Sequence, residues 1–222
     1  MTRLRVEVER DHLEHLIKKP LGGLTELLWN AIDADATEIT AALQRNTMGG
    51  IDGLIVEDNG TGITPEQAHR YFSHLGGSWK KLATTTQAGR SLHGRSGQGR
   101  WAAYGIGEVV HWISTAEQVT GNLAQIRITG RRSNLDEFDV GDPEQPTRPR
   151  GTVVEIEQLT GGAIRTLERD DVIGYLTTTF ALTLEKYPIA LKWQDILLDP
   201  KSVQSRRYSQ EFVVDDVNGP IE

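Results

Sequence analysis

Apolar and polar positions alternate with a period of two at Leu4, Val6 and Val8, which predicts a short strand near the start of the chain, and Asp11 suits the cap of a brief helix over 11–18. From Pro20 the period changes. Leu24, Leu27, Leu28, Ala31 and Ile32 fall on one arc at about 100° per residue, so a helix is predicted over 20–34 with the proline at its first position. Strands are predicted over 37–43, 53–57, 109–115, 124–129 and 152–156. Thr64-Pro65-Glu66 reads as a helix start with Thr64 as N-cap, and a long loop then leads to an alanine-bearing helix beginning near Gly97. Pro143, Pro146 and Pro149 mark 136–150 as a connecting loop, a single helix is predicted over 167–184, and 189–193 with 196–198 as a hairpin. Helices mixed with long antiparallel runs predict an α+β chain in two layers, a mixed sheet covered on one face by helices.

Composition narrows the chemistry. The chain has 222 residues and no cysteine, which excludes disulfide frameworks, Cys-ligated zinc and thiol catalysis. No run approaches the apolar length of a membrane span, and the first residues lack the apolar stretch of a secretory signal, so a cytoplasmic setting without a membrane partner is expected. A net charge of −7 argues against a surface devoted to nucleic-acid backbone, although a local patch leaves nucleic acid open. Such a patch is present: residues 67–107 hold Arg70, Lys80, Lys81, Arg90, Arg95 and Arg100, no Asp or Glu, and eight glycines. A basic, glycine-rich segment suits a polyphosphate, and equally a surface loop whose cations meet acids elsewhere in the protein.

Four segments carry candidate chemistry. In the helix from Pro20, Glu26, Asn30 and Asp33 form one polar stripe; two carboxylates and an amide on successive turns offer a general base and an oxygen ligand for a hard cation, while any surface helix also has a polar stripe. Leu54 to Ile63 is a hydrophobic strand ending in Asp58-Asn59-Gly60-Thr61-Gly62, where Asp58 can accept a nitrogen-borne proton beside a planar group, or simply cap a turn. His93-Gly94-Arg95-Ser96-Gly97-Gln98-Gly99-Arg100-Trp101 runs a glycine-rich loop into a helix, which suits phosphate; it is neither a P-loop nor a Rossmann fingerprint. Gly151-Thr152 enters a strand, and alone it is an ordinary strand entry.

In this order, the four segments resemble the GHKL or Bergerat-fold ATPases, the superfamily of DNA gyrase B subunits, heat-shock chaperones, histidine kinases and MutL-type repair proteins. The resemblance covers about residues 1–200 and implies an ATP-binding domain there, with 201–222 as an extension toward a following domain. It implies that Glu26 activates water and that Asn30 is a magnesium ligand. Asp58 is implied to accept the adenine amino group, with Thr152 supporting it through water and Gly60 and Gly62 flanking the pocket. Gly97 and Gly99 would offer N–H groups to the phosphates, and Asp33, Gly94, Gln98 and Arg100 complete the cofactor-binding set. The stretch 74–95 resembles the mobile ATP lid of the family, with Ser78 and Lys80 approaching the phosphates. The third segment has neither the MutL form nor the usual chaperone form, and the chaperone-like branch is favoured. Magnesium-dependent ATP binding with slow hydrolysis is thereby implied, lid closure acting as a switch for an attached or partner domain or a nucleotide-dependent dimer. The alternatives are a regulatory module that binds nucleotide without turnover and a histidine-kinase-type catalytic domain.

Overall fold

A computed structural model describes residues 2–5, 13–73, 85–93 and 99–204. Its strands are β1 (Thr2–Arg5), β2 (Glu38–Arg45), β3 (Ile51–Asp58), β4 (Gly107–Glu117), β5 (Leu123–Arg131), β6 (Asn134–Val140), β7 (Gly151–Leu159), β8 (Ala190–Trp193) and β9 (Ile196–Leu197). They form one sheet in the order β1-β6-β5-β4-β7-β3-β2-β8-β9. Every pairing is antiparallel except β2 with β8, so the sheet is mixed, as predicted. The helices are α1 (Pro20–Asp33), α2 (Pro65–Phe72), α3 (Gly99–Ala102), α4 (Gly161–Leu167) and α5 (Val172–Lys186).

Register sorts the helix-covered face into lateral rows. Leu43, Leu54, Ile156, Val110, Gly130 and Phe138 lie side by side across six strands, and so do Ala41, Val56, Val154, Trp112, Ile128 and Val140. Burying these rows against Leu24, Leu27, Leu28, Ala31 and Ile32 of α1 and Leu176 and Phe180 of α5 makes the core. The next row breaks the pattern: Ile39, Asp58, Thr152, Ser114 and Ile126 are neighbours, so three polar side chains stand together between two isoleucines. On the opposite face Gln125 is covered by the segment after β6, where the Thr147 N–H and hydroxyl donate to Gln125 Oε1 at 3.2 and 3.0 Å.

Local signals account for most helix starts. Pro20 opens α1, and Thr64 caps α2 in a reciprocal capping box with Gln67. Two predicted elements are corrected. Residues 134–140, most of them expected in the 136–150 loop, form β6, because Leu135, Phe138 and Val140 are buried while pairing with β5 and β1 satisfies the backbone. A register shift between Gly130 and Arg131 breaks the period of two that would have betrayed the strand. The helix expected over 167–184 is α5, which starts later than expected, and a separate short helix precedes it. Thr160, whose hydroxyl accepts the Ala163 N–H at 3.1 Å, starts α4, and α5 begins only at Val172. The predicted helix near Gly97 is the four-residue α3 followed by a 3-10 turn, Ala103–Gly105. Past the hairpin, a second 3-10 turn, Pro200–Val203, packs against α5.

Candidate functional site

Asp58 ends β3, and its carboxylate accepts the Gly60 N–H at 2.8 Å. Burial pushes its pKa from 3.8 up to about 6; hydrogen bonds from the Gly60 and Thr152 backbone oppose that rise and the neighbouring Glu57 charge adds to it. Beside it on β7, Thr152 Oγ1 lies 2.8 Å from Ser114 Oγ on β4, and Ser114 also accepts the Ile63 N–H at 2.8 Å. The loop between Asp58 and Ile63 is wedged between two supports. Gly60 faces the end of α1, where an added Cβ would lie 2.6 Å from the Ala34 carbonyl oxygen. Gly62 has φ +70°, and a Cβ there would come within 2.3 Å of the Thr115 carbonyl oxygen, so only glycine fits. Asn59 Oδ1 accepts the N–H groups of Thr37 and Glu38 at 2.8 and 3.0 Å, which ties the loop to β2.

A second cluster forms where α3 meets α1. Gly99 faces Glu26 and Asn30: a Cβ built on it would lie 3.1 Å from Glu26 Oε2 and 3.2 Å from Asn30 Nδ2. Glu26 is one-fifth exposed and accepts a hydrogen bond from the Lys18 ammonium at Oε1, while Asn30 is exposed. Among the described residues no group of three or more His, Asp or Glu could hold a metal ion by itself. An amide oxygen next to a carboxylate fits magnesium, which keeps several waters and binds through few protein ligands plus substrate phosphates.

Asp33, expected on the same stripe, turns inward instead. It is 2% exposed, and its Oδ1 accepts the His93 N–H at 2.9 Å. The His93 ring stacks on Trp29 with centroids 4.0 Å apart and planes 9° from parallel. Residues 85–93, expected within the mobile lid, are anchored to the end of α1. Thr86 donates its hydroxyl to Asp35, and the buried Arg90 guanidinium donates to the carbonyls of Ala36 at 2.6 Å and Ile32 at 3.4 Å. Arg90 thus gives carbonyls at and just past the C-terminus of α1 a buried cationic donor.

Arg100, expected in the cofactor-binding set, lies over aromatic faces: its guanidinium carbon is 3.8 Å from the Trp101 centroid, 5.4 Å from Phe72 and 5.7 Å from Phe138, and burial pulls its pKa down to about 9. Ser78, Lys80, Gly94, Gly97 and Gln98 lie outside the described residues. The structure therefore brings Asp58, Gly60, Gly62 and Thr152 together, and separately Glu26, Asn30 and Gly99. Ser114 and Lys18 join these clusters without a motif to announce them; a small polar residue at an inward position of β4, between Trp112 and Ala116, was the available sign of the first.

A sequence model of the histidine kinase-, DNA gyrase B- and HSP90-like ATPase family matches residues 19–143. The chain belongs to this family. Among curated relatives, the DNA mismatch repair protein MutL of Methanoculleus marisnigri is 31% identical over 164 residues, 72% of the chain and 26% of the relative. MutL of Deinococcus radiodurans is 30% identical over 151 residues, covering 65% and 24%, and MutL of Halobacterium salinarum 26% identical over 149 residues, covering 66% and 20%. The chain spans no more than about a quarter of the length of these relatives. These relatives are named as mismatch repair proteins, not as members of the chaperone-like branch that was expected. Among the described residues no helix is long and apolar enough to cross a membrane.

Proposed function

We propose that this chain binds ATP with magnesium and hydrolyses it slowly, as a nucleotide-driven switch of the MutL type acting in DNA repair. The observation that carries this reading is the placement of both clusters along one helix. Gly99 meets α1 at Glu26 and Asn30, and the Asp58 loop meets it at Ala34. These contacts fall on successive turns and span about 12 Å along the axis, a distance within the reach of one nucleoside triphosphate.

In this reading the Asp58 carboxylate accepts the adenine amino group, Thr152 supports the base edge, and Gly60 and Gly62 leave room for its plane. Toward the other end of α1, Glu26 takes the proton of the attacking water, and Asn30 and the Gly99 backbone face the phosphates. A bound magnesium ion would neutralise phosphate charge. The expected lid begins just after α2 and includes the anchored residues 85–93, so nucleotide contacts made within it would act on α1 and α5 and, through them, on an attached domain, a second copy or a DNA-bound partner.

The Lys18 ammonium on Glu26 favours a second reading, a module that binds nucleotide without turnover, because it occupies a carboxylate oxygen that an attacking water would need. Steady-state phosphate release by the chain, with and without magnesium, separates the two. Slow magnesium-dependent release supports the ATPase; tight ATP binding without release supports the module; absence of ATP binding overturns both.

A further inference from the structure

Ser114 sits at the junction of the two motifs that surround the base, and no solvent reaches it: its relative exposure is 0%, and that of Thr152 is 9%. Its hydroxyl oxygen accepts the Ile63 N–H at 2.8 Å, at the end of the Asp58 loop. Its single proton has two acceptors within range, Thr152 Oγ1 at 2.8 Å and the Gly151 carbonyl oxygen at 3.3 Å. The shorter contact is the better hydrogen bond. When Ser114 donates to Thr152, the Thr152 proton is released for a group outside the pair. The reverse arrangement would consume the Thr152 proton inside the protein and leave Ser114 donating over the longer distance.

Resting on the reading that Asp58 binds adenine, we infer that Ser114 is a positioning residue for base recognition. It orients the Thr152 hydroxyl as a donor toward the ring acceptor N1, directly or across one water. Asp58 and Thr152 are lateral neighbours in the sheet, and the amino group and N1 are neighbours on the edge of adenine. An acceptor beside a donor on the protein matches a donor beside an acceptor on the base. The ligand class this selects is a 6-aminopurine nucleotide with N1 unsubstituted. A buried donor facing a base that lacks the acceptor loses its hydrogen bond, and that is the source of discrimination.

The test is calorimetric titration with ATP and with 1-deaza-ATP, which keeps the amino group and replaces N1 by C–H. Wild-type protein is expected to prefer ATP by about tenfold, the scale of one buried hydrogen bond. In Ser114→Ala the preference should fall to within about twofold, as in Thr152→Val, with no further loss in the double variant, because the two hydroxyls act as one unit. Ser114→Cys, close in volume and a weak donor, should give the same collapse and covers the case of an alanine variant that does not fold. If Ser114→Ala weakens both nucleotides equally and keeps their ratio, Ser114 merely supports the fold and the inference is overturned. A wild-type protein that binds ATP without distinguishing the two also overturns it. If wild type binds neither, the adenine reading of Asp58 has failed instead, and the inference with it.

Discussion

Gly99 faces Glu26 so closely that a methyl group added to the glycine would lie 3.1 Å from the Glu26 Oε2 oxygen. That contact puts a glycine backbone beside the one carboxylate of α1 that lines the proposed phosphate end of the site. Replacing Glu26 by alanine should abolish phosphate release while ATP affinity stays within about threefold, because a general base acts mainly in the transition state. Gly99→Ala should crowd the carboxylate and reduce turnover by about tenfold or more. Single-turnover kinetics with calorimetry checks both; hydrolysis at the parent rate in Glu26→Ala would place the base elsewhere.

Asp58 predicts a pH dependence. Its carboxyl, raised to about 6 by burial, must be ionised to accept the adenine amino group, so ATP affinity should be constant above about pH 7 and fall by up to about tenfold per unit below pH 6. The sign for stability is opposite. A folded-state pKa above the ordinary 3.8 means that this group stabilises the ligand-free fold fully below about pH 4 and loses that contribution as the pH rises through 6. Affinity that does not change between pH 7.5 and pH 5 would remove Asp58 from the base pocket, and Asp58→Asn should show almost no ATP binding at any pH.

Asn30 faces the phosphate end, so Asn30→Ala and removal of magnesium should each weaken ATP more than adenosine. A loss of about tenfold for ATP with adenosine unchanged is expected from competition binding; equal losses for both would exclude Asn30 as the oxygen ligand.

Arg90 belongs to the fold. It is 5% exposed and its guanidinium donates to Ala36 and Ile32 carbonyls near Asp35. Arg90→Met should cost about 2–4 kcal/mol, because the Ala36 and Ile32 carbonyls and the Asp35 carboxylate lose a buried cationic partner. Urea denaturation gives the value, and a change below about 0.5 kcal/mol would contradict the anchoring of 85–93.

Gly62→Ala should be more damaging than an ordinary loop substitution, since the residue has φ +70° and its Cβ would meet the Thr115 carbonyl oxygen at 2.3 Å. A loss of about 2 kcal/mol or more is expected, together with weaker ATP binding as the Asp58 loop shifts. Thermal unfolding with and without ATP measures both effects.

Local chemistry made much of this protein legible before any coordinates. Pro20 starting α1, Thr64 capping α2 and the apolar arc from Leu24 to Ile32 depend only on neighbours a turn away, and the structure keeps all three. The stripe of Glu26 and Asn30 and the turn after Asp58 were visible for the same reason. Long-range geometry decided the rest. Periodicity says that Ser114, Thr152 and Asp58 each point to one face of a strand; only the register of β3, β7 and β4 makes them neighbours in one row. Asp33 stands at the border of the helix stripe, and whether it serves a ligand or the fold depended on His93 arriving beside it. Arg100 sits in a glycine-rich segment that suits phosphate, yet the rings of Trp101, Phe72 and Phe138 converge on its guanidinium from three elements. β6 is hidden in the sequence because its pairing with β5 contains an irregularity that breaks the period of two. A sequence specifies which residues prefer burial and which local turns they make, whereas the partner across a sheet or beneath a helix is fixed by how distant segments share the limited space of one core.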